Sequence, residues 1–239
     1  MTAVDGDVDV PFSVHDRAVS VPAAETLVLS DVHLGKAAAS SVDAPIDDGA
    51  DSVERLSGLL EATDPATVVV AGDLLHSFSR LPSGVERDLG RLVDAVDAAG
   101  ADLVVTPGNH DAMLERAFDG ETATEYRLTD GETVVCHGHD RPDASAERYV
   151  IGHDHPALSV DGRKHPCVLY GPDAYEGAAV LVLPAFTRLA AGATVNGMFG
   201  RDFQSPLVRT ADAFYPAISD GSSGETLWFP PLGELRRLL

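Results

Sequence analysis

Cysteine is scarce in this chain of 239 residues, which contains only two. Cys136 and Cys167 each lie in a short apolar stretch typical of a buried strand, "ETVVCHG" and "HPCVLYG". A disulfide framework or a metal site built from thiolates needs more cysteines than this. We therefore interpret both residues as small buried side chains and look for metal ligands among other residue types.

Long apolar runs are also absent. The longest, such as "AAVLVLPAF", are far shorter than the roughly 20 residues that a transmembrane helix needs. Near residue 1 there is no basic segment followed by an apolar run, which is the pattern of a secretory signal. From these absences we expect a cytoplasmic protein that does not associate with membranes.

Lysine occurs only at Lys36 and Lys164, and the formal net charge is −21. This acidic, lysine-poor composition resembles that of proteins from salt-loving organisms, in which carboxylates keep the surface hydrated. Negative charge disfavours binding to nucleic acid, because the phosphate backbone attracts basic surfaces. In 1 M salt, however, the screening length falls to roughly 3 Å. Charge alone therefore does not exclude a nucleic acid substrate.

The order of apolar segments predicts an α/β fold. Strands are predicted at 25–33, in "ATVVVAGD" and in "ADLVVTPGNHD", and amphipathic helices near 51–62 and 85–99 separate them. This alternation is typical of parallel strands joined by helical crossovers.

Hairpins are predicted after residue 120. Two of them turn at Asp130-Gly131 and Asp161-Gly162, and a third spans "AFYPAISDGSSGETLWF". We expect one domain over residues 1–239 with mixed sheets. Its motif core covers about 25–195, and a C-terminal hairpin and short helix lie within 200–239.

Side chains that can bind metal follow the predicted strands directly. They are Asp31 and His33 in "SDVHLGK", Asp73 in "AGDLLHS", Asn109, His110 and Asp111 in "TPGNHDAM", His137 and His139 in "VVCHGHD", and His153 and His155 in "YVIGHDHPAL". In open α/β sheets, ligands gather beyond the carboxyl ends of the strands. We therefore expect these five segments to meet in one site.

The segment "GHDH" places two histidines on either side of Asp154. In an extended chain, side chains alternate, so His153 and His155 would face one way and Asp154 the other. Two imidazoles cannot form a metal site alone. The pattern therefore predicts that they are one part of a larger ligand set.

The candidate ligands favour a pair of ions. There are seven of them: Asp31, His33, Asp73, Asn109, His137, His153 and His155. Imidazole, carboxylate and amide oxygen without thiolate suit Mn²⁺, Fe, Zn²⁺ or Mg²⁺. Seven ligands exceed what one ion uses, whereas two ions that share a carboxylate account for them. Such pairs stabilise the attacking and leaving oxygens in phosphoryl hydrolysis.

Taken in order, these segments resemble the signature of the calcineurin-like metallophosphoesterases, which runs D-x-H, G-D, G-N-H-[DE], H and G-H-x-H. The corresponding residues are Asp31-Val32-His33, Gly72-Asp73, Gly108-Asn109-His110-Asp111, His137 and Gly152-His153-Asp154-His155. Within that superfamily, "SDVHLGKA", "GDLLHS", "GHDHPA" and "LVLPAFTRLAAG" resemble the SbcD-related archaeal phosphoesterases and the bacterial PdeM proteins. The latter are described as DNA-damage-associated endonucleases.

The resemblance implies a four-layer α/β/β/α sandwich with two mixed sheets, and it implies a role for each motif residue. The ligands divide into a first set of Asp31, His33 and His155, a second set of Asn109, His137 and His153, and a bridging residue, Asp73. His110 would not bind metal, but would donate a proton to the leaving oxygen or stabilise it. Asp111 is a candidate to orient that imidazole. We expect two divalent ions, Mn²⁺ first, with Fe, Zn²⁺ or Mg²⁺ as alternatives.

Three further residues are candidates for substrate contacts. Lys36 follows the first strand and would meet a phosphate, with simple solvation as an equal alternative. His76 in "GDLLHS" matches the close relatives and would line the pocket. His139 would contact substrate phosphate or metal, although an ordinary surface histidine is the alternative.

The sequence favours a dinuclear phosphoesterase that cleaves phosphodiester bonds, with DNA as the first substrate to consider. The alternative substrate class is a small phosphoester or a nucleotide, because a fold does not fix its substrate. A third hypothesis is a non-catalytic interaction scaffold. Such members of the family lack ligands or the histidine of the G-N-H motif, and this chain has all of them.

Overall fold

Two mixed β-sheets form the frame of the fold. The computed structural model describes residues 10–39, 48–77, 80–220 and 224–238. The strands are β1 (Ser13–His15), β2 (Ala18–Val21), β3 (Thr26–Leu29), β4 (Thr67–Ala71), β5 (Asp102–Thr106), β6 (Glu121–Thr122), β7 (Glu125–Arg127), β8 (Thr133–Cys136), β9 (Arg148–Ile151), β10 (Pro156–Val160), β11 (Arg163–Pro166), β12 (Val168–Tyr175), β13 (Ala178–Val182), β14 (Ala193–Thr194), β15 (Tyr215–Ser219) and β16 (Thr226–Trp228). The α-helices are α1 (Lys36–Ala39), α2 (Asp48–Thr63), α3 (Val85–Ala98), α4 (Leu114–Ala117) and α5 (Leu232–Leu238).

The first sheet has the strand order β1-β2-β3-β4-β5-β6. Strands β3 to β6 are parallel, and helices α2 and α3 form the crossovers, as the sequence predicts. Strand β3 ends at Leu29, earlier than the predicted 25–33. The backbone of Asp31 and His33 is left-handed, with φ of 54° and 50°, and cannot continue a strand.

The second sheet has the order β16-β15-β12-β13-β9-β8-β7. The predicted hairpins are confirmed as the antiparallel pairs β7–β8, β10–β11 and β15–β16. The β10–β11 hairpin does not join this sheet. It pairs with β14 in a separate three-stranded sheet.

Strand β4 shows how the sheets pack. Val68 and Val70 belong to a cluster that includes apolar side chains of α2 and α3, whereas Val69 and Ala71 belong to the cluster between the two large sheets. This is the period-two alternation of a strand buried on both faces.

The other face of the second sheet is covered by a different kind of layer. Ile151 and Leu169 pack there with Phe214, Leu232 and Leu235 of the C-terminal segment. The predicted α/β class with mixed sheets is confirmed, and its fourth layer is made of the short helix α5, irregular chain and the small sheet.

Both cysteines are buried and free, in agreement with the sequence analysis. Burial raises the pKa of the Cys136 thiol to about 12, so the thiolate is disfavoured there. Among the described helices, none is long and apolar enough to span a bilayer.

The layer between the sheets predicts where truncation destabilises the protein. Leu181 in β13 is fully buried in this layer. Leu181→Ala should lower the free energy of unfolding by about 2–5 kcal/mol, because it leaves a cavity. Leu227→Ala is the matched control, since Leu227 is 39% exposed, and should change stability by no more than about 0.5 kcal/mol. Urea unfolding measures both, and equal effects would contradict the assigned layering.

Candidate metal centre and active site

The predicted ligands lie in five loops, each directly after a strand. Asp31 and His33 follow β3, Asp73 follows β4, Asn109 follows β5, His137 follows β8, and His153 and His155 follow β9. Strands β3 to β5 are parallel in the first sheet, and β8 and β9 are parallel in the second. The loops of both sheets therefore meet at one edge of the sandwich, where ligands are expected.

The first group of ligand atoms comprises Asp31, His33 and His155, whose donor atoms lie within 4.8 Å of one another. His155 Nε2 lies 2.9 Å from Asp31 Oδ1. Within the described residues, His33 Nε2 is buried without a hydrogen-bond partner, whereas Asp31 Oδ1 and His155 Nε2 are buried facing each other. Buried polar atoms left in this way are costly unless something else binds them. A divalent cation fits these three converging atoms.

A second group comprises Asp31, Asp73 and His137, again within 4.8 Å of one another. Asn109 Oδ1 lies 3.1 Å from His137 Nε2, and the His153 ring centroid lies 4.9 Å from that of His137. His137 Nδ1 faces the carbonyl oxygen of Ala71 at 3.2 Å. If Nδ1 donates to that carbonyl, the lone pair is on Nε2, which points toward Asp73 and Asn109.

Asp73 lies between the two groups. Its Oδ1 is 3.6 Å from His137 Nε2, and its Oδ2 is 3.8 Å from His33 Nε2. Burial and the neighbouring charge of Asp31 raise the pKa of Asp73 to about 8. This position suits the bridging role that the family resemblance implies.

Two of the imidazoles, those of His33 and His137, are held in the neutral form that binds metal. Burial lowers the pKa of His33 to about 3 and that of His137 to about 4, so both are neutral at neutral pH. Burial alone would raise the pKa of Asp31, but His155 and other nearby imidazoles lower it to about 2. Neutral imidazoles beside a carboxylate provide a ready set of lone pairs.

Many of the ligands have a left-handed backbone, a conformation that costs a non-glycine residue about 1–3 kcal/mol. Five of the seven candidates adopt it: Asp31, His33, Asp73, His153 and His155. The prediction of an extended "GHDH" segment is therefore wrong, because His153 has a φ of 69° and His155 a φ of 45°. The loops turn sharply so that adjacent motifs deliver side chains to one point.

Two motif glycines allow the loops to approach this closely. A Cβ on Gly72 would collide with the His137 imidazole, and φ at Gly72 is +80°. A Cβ on Gly108 would collide with the Asp73 side chain. Each glycine therefore directly precedes one candidate ligand and leaves room for another.

His110 lies beside the ligands. Its Nε2 is 4.0 Å from Asp73 Oδ2, and its backbone N–H donates to Asp73 Oδ1 at 2.8 Å. The His76 ring stacks on it with centroids 5.1 Å apart. Burial and the charge of Lys36 lower the pKa of both imidazoles. The structure thus brings the candidates His76 and Lys36 to the same side of the site as His110.

Asp111 is engaged by the backbone. Its carboxylate accepts hydrogen bonds from the N–H groups of Leu74, Leu75 and Gly108, at 3.2, 2.7 and 2.9 Å. These bonds tie the loop after β4 to the loop after β5. The contacts support a role in positioning Asp73 and Asn109, and the expected role of orienting the His110 imidazole stays a prediction.

The segment after β13 supports the Asp31 loop. The N–H of Phe186 donates to the Ser30 carbonyl at 2.8 Å, and the N–H of Thr187 donates to the Asp31 carbonyl at 3.3 Å. Arg55 holds this segment in turn, through a bond of 2.7 Å to the Phe186 carbonyl and its position over the Phe186 ring. The motif "LPAFTRLAAG" thus has a structural role beside the site.

Asp154 is a residue whose importance the sequence analysis missed. Its carboxylate is buried and points away from the metal site, where it accepts hydrogen bonds from the N–H groups of Gln204 and Ser205 at 2.7 and 3.2 Å. The C-terminal segment therefore anchors the loop that carries His153 and His155. The Asp154 carboxylate and the N–H groups that it accepts from are about fifty residues apart in the sequence, so no local pattern could reveal the contact.

These features define a metal-dependent hydrolase: an α/β sandwich with two adjoining ligand groups at the strand ends. The chain belongs to the calcineurin-like phosphoesterase family, because the model of that family matches its residues 25–177. A search of curated proteins finds no match. Among solved structures it is similar to the nuclease MPE of Pseudomonas putida, with 23% identity, a TM-score of 0.61, and coverage of 90% of this chain and 92% of that one.

The Asp154 contact predicts a loss of metal affinity without loss of a ligand. Asp154→Ala should weaken Mn²⁺ binding about 10–100-fold, the usual effect of removing a group that positions ligands. Asp154→Asn keeps one acceptor and should weaken binding less. Titration calorimetry with Mn²⁺ measures both, with the exposed Asp119→Ala as the control. Affinities equal to wild type in both Asp154 variants would refute the anchoring role.

Proposed function

We propose that this phosphoesterase is a dinuclear phosphodiesterase that acts on DNA as a nuclease. The observation that carries the proposal is the pair of ligand groups around Asp31 and Asp73, in which His33 Nε2 is buried without a hydrogen bond to any described residue. Similarity to a nuclease of the same fold supports the choice of a phosphodiester substrate. The closer relation to SbcD and PdeM proteins is part of the same proposal.

In this proposal the ligands divide as the motif positions imply. The first ion is held by Asp31, His33 and His155, the second by Asn109, His137 and His153, and Asp73 bridges them. When bound, the two cations would neutralise charge on the phosphoryl group and activate water as a nucleophile. We propose Mn²⁺ because the oxygen and imidazole donors suit it.

His110 is assigned to the leaving oxygen. Its side chain is 27% exposed, whereas those of His33 and His137 are each 1% exposed, so it is the most open of the three to a substrate. With its lowered pKa the imidazole is neutral at neutral pH, and an Nε2–H donates a hydrogen bond to the oxygen on which charge develops. Hydrolysis adds the hydroxyl of water to phosphorus, breaks the P–O ester bond and leaves a proton on the departing oxygen.

A small phosphoester or nucleotide is the second candidate substrate. The net charge of −21 favours it, because a long polyanion is repelled by an acidic surface at low salt. High salt removes that repulsion, so the two substrate classes differ in their expected salt dependence. The complete ligand set weighs against a purely structural scaffold.

Two substitutions separate metal binding from catalysis. Asp73→Ala should abolish hydrolysis of bis(p-nitrophenyl) phosphate with Mn²⁺, because it removes the carboxylate between the two ligand groups. His110→Ala should keep both ions but lower kcat by about 10²–10⁴-fold. Mass spectrometry measures the metal content of each variant, and circular dichroism checks that each variant is folded. Full activity in either variant would overturn the site assignment.

A substrate panel tests the proposed substrate. Single-stranded DNA, cyclic nucleotides and phosphomonoesters are compared at 0.1, 1 and 3 M salt with Mn²⁺. If DNA is the substrate, its cleavage should rise relative to that of the small esters as salt screens the acidic surface. Hydrolysis of monoesters alone at every salt concentration would instead assign a phosphatase.

A further inference from the structure

A cavity of about 410 Å³ opens beside the second ligand group. Its lining includes His137, a candidate ligand, and Gly108, which precedes another, Asn109. The loop after β8 supplies another wall, and Thr124 and Glu125 of the neighbouring segment also line the cavity. The lining residues of that loop include His139, Asp140, Arg141 and Asp143. The volume falls within the ~300–1,000 Å³ typical of small-molecule sites.

His139 is one of the residues that line this cavity. Its Nδ1 is buried and, within the described residues, has no hydrogen-bond partner. Its Nε2 is held by Asp140 Oδ2 at 3.2 Å. The ring centroid lies 5.1 Å from that of His137 and 6.1 Å from that of His153. The imidazole is therefore anchored by Asp140 on one side and packed beside two candidate ligands on the other.

Arg141 adds positive charge to the same wall. It is exposed, and no ion pair or side-chain hydrogen bond involves it within the described part of the chain. Other arginines, such as Arg188, pair with carboxylates of this acidic protein. Glu125 forms no ion pair with Arg141 within the described residues, and its carboxylate accepts from the N–H groups of Asp143 and Ala144, which fixes the loop.

We propose that this cavity binds the nucleoside next to the scissile phosphate, with Arg141 contacting its sugar. The inference rests on the proposed phosphodiesterase function and deepens it. Polar walls and a guanidinium without an ion pair among the described residues suit the oxygens of a sugar better than an apolar group. The limited volume favours one nucleotide unit on this side of the ions.

Two esters with the same chromophore test the subsite. Bis(p-nitrophenyl) phosphate and the p-nitrophenyl ester of thymidine 5′-monophosphate both release p-nitrophenol, and only the second carries a nucleoside. Arg141→Ala should lower the ratio of kcat/KM for the thymidine ester over the simple ester about tenfold, mainly through KM, the loss expected for one charge-assisted contact. Thr124→Trp should lower the same ratio by filling the cavity, because Thr124 is exposed and its replacement leaves the core intact.

Arg163→Ala is the matched control. Arg163 is also exposed and lies in β11, and its replacement by alanine changes the net charge by the same amount as Arg141→Ala. It should leave the ratio unchanged. Titration of the ion-free protein with thymidine 5′-monophosphate gives a second comparison of the Arg141 and Arg163 variants without turnover.

The outcomes separate the two proposals. No hydrolysis of either ester by the wild-type protein with Mn²⁺ would overturn the proposed function itself. Hydrolysis of both esters with an unchanged ratio in Arg141→Ala and Thr124→Trp would overturn only the subsite. An equal loss on both esters in Arg141→Ala would place its guanidinium at the scissile phosphate and also reject the subsite. A ratio lowered as much by Arg163→Ala would mean a general charge effect and would likewise reject the subsite.

Discussion

Two carboxylates, those of Asp31 and Asp73, are buried within reach of one another at the edge where the strands of both sheets end. Burial and the negative charge of Asp31 raise the pKa of Asp73, which is therefore harder to ionise than an ordinary aspartate. Such a pair is tolerated when positive charge lies between its members. The surrounding histidines, the sharp turns of the loops and the glycines that allow close approach place metal-binding atoms around the space between the two carboxylates.

Much of the fold and of the metal centre could be predicted from the sequence. The apolar segments predict the parallel strands β3, β4 and β5 with their crossovers, because short buried apolar runs alternate with amphipathic helices along the chain. Once those strands are parallel, the side chains that follow them must meet at one edge. The family membership is confirmed, and the structure brings the seven candidate ligands together, although their individual roles stay predictions.

The remainder depends on contacts that no local pattern encodes. An alternating pattern assumes an extended chain, so it could not predict the left-handed turns at His153 and His155. The outward direction of Asp154 agrees with the alternation but has another cause, its bonds to distant backbone amides. Likewise, the cavity wall near Arg141 depends on Glu125, which reaches across from another strand.

The anchor on Asp154 has an evolutionary consequence. Its donors are main-chain N–H groups, which every amino acid except proline supplies. The side chains at positions 204 and 205 can therefore drift among relatives while the anchor persists, and an alignment would show a variable tail. Insertions, deletions or a proline there would matter far more than ordinary substitutions, so variation in the tail should follow chain length and proline placement rather than residue identity.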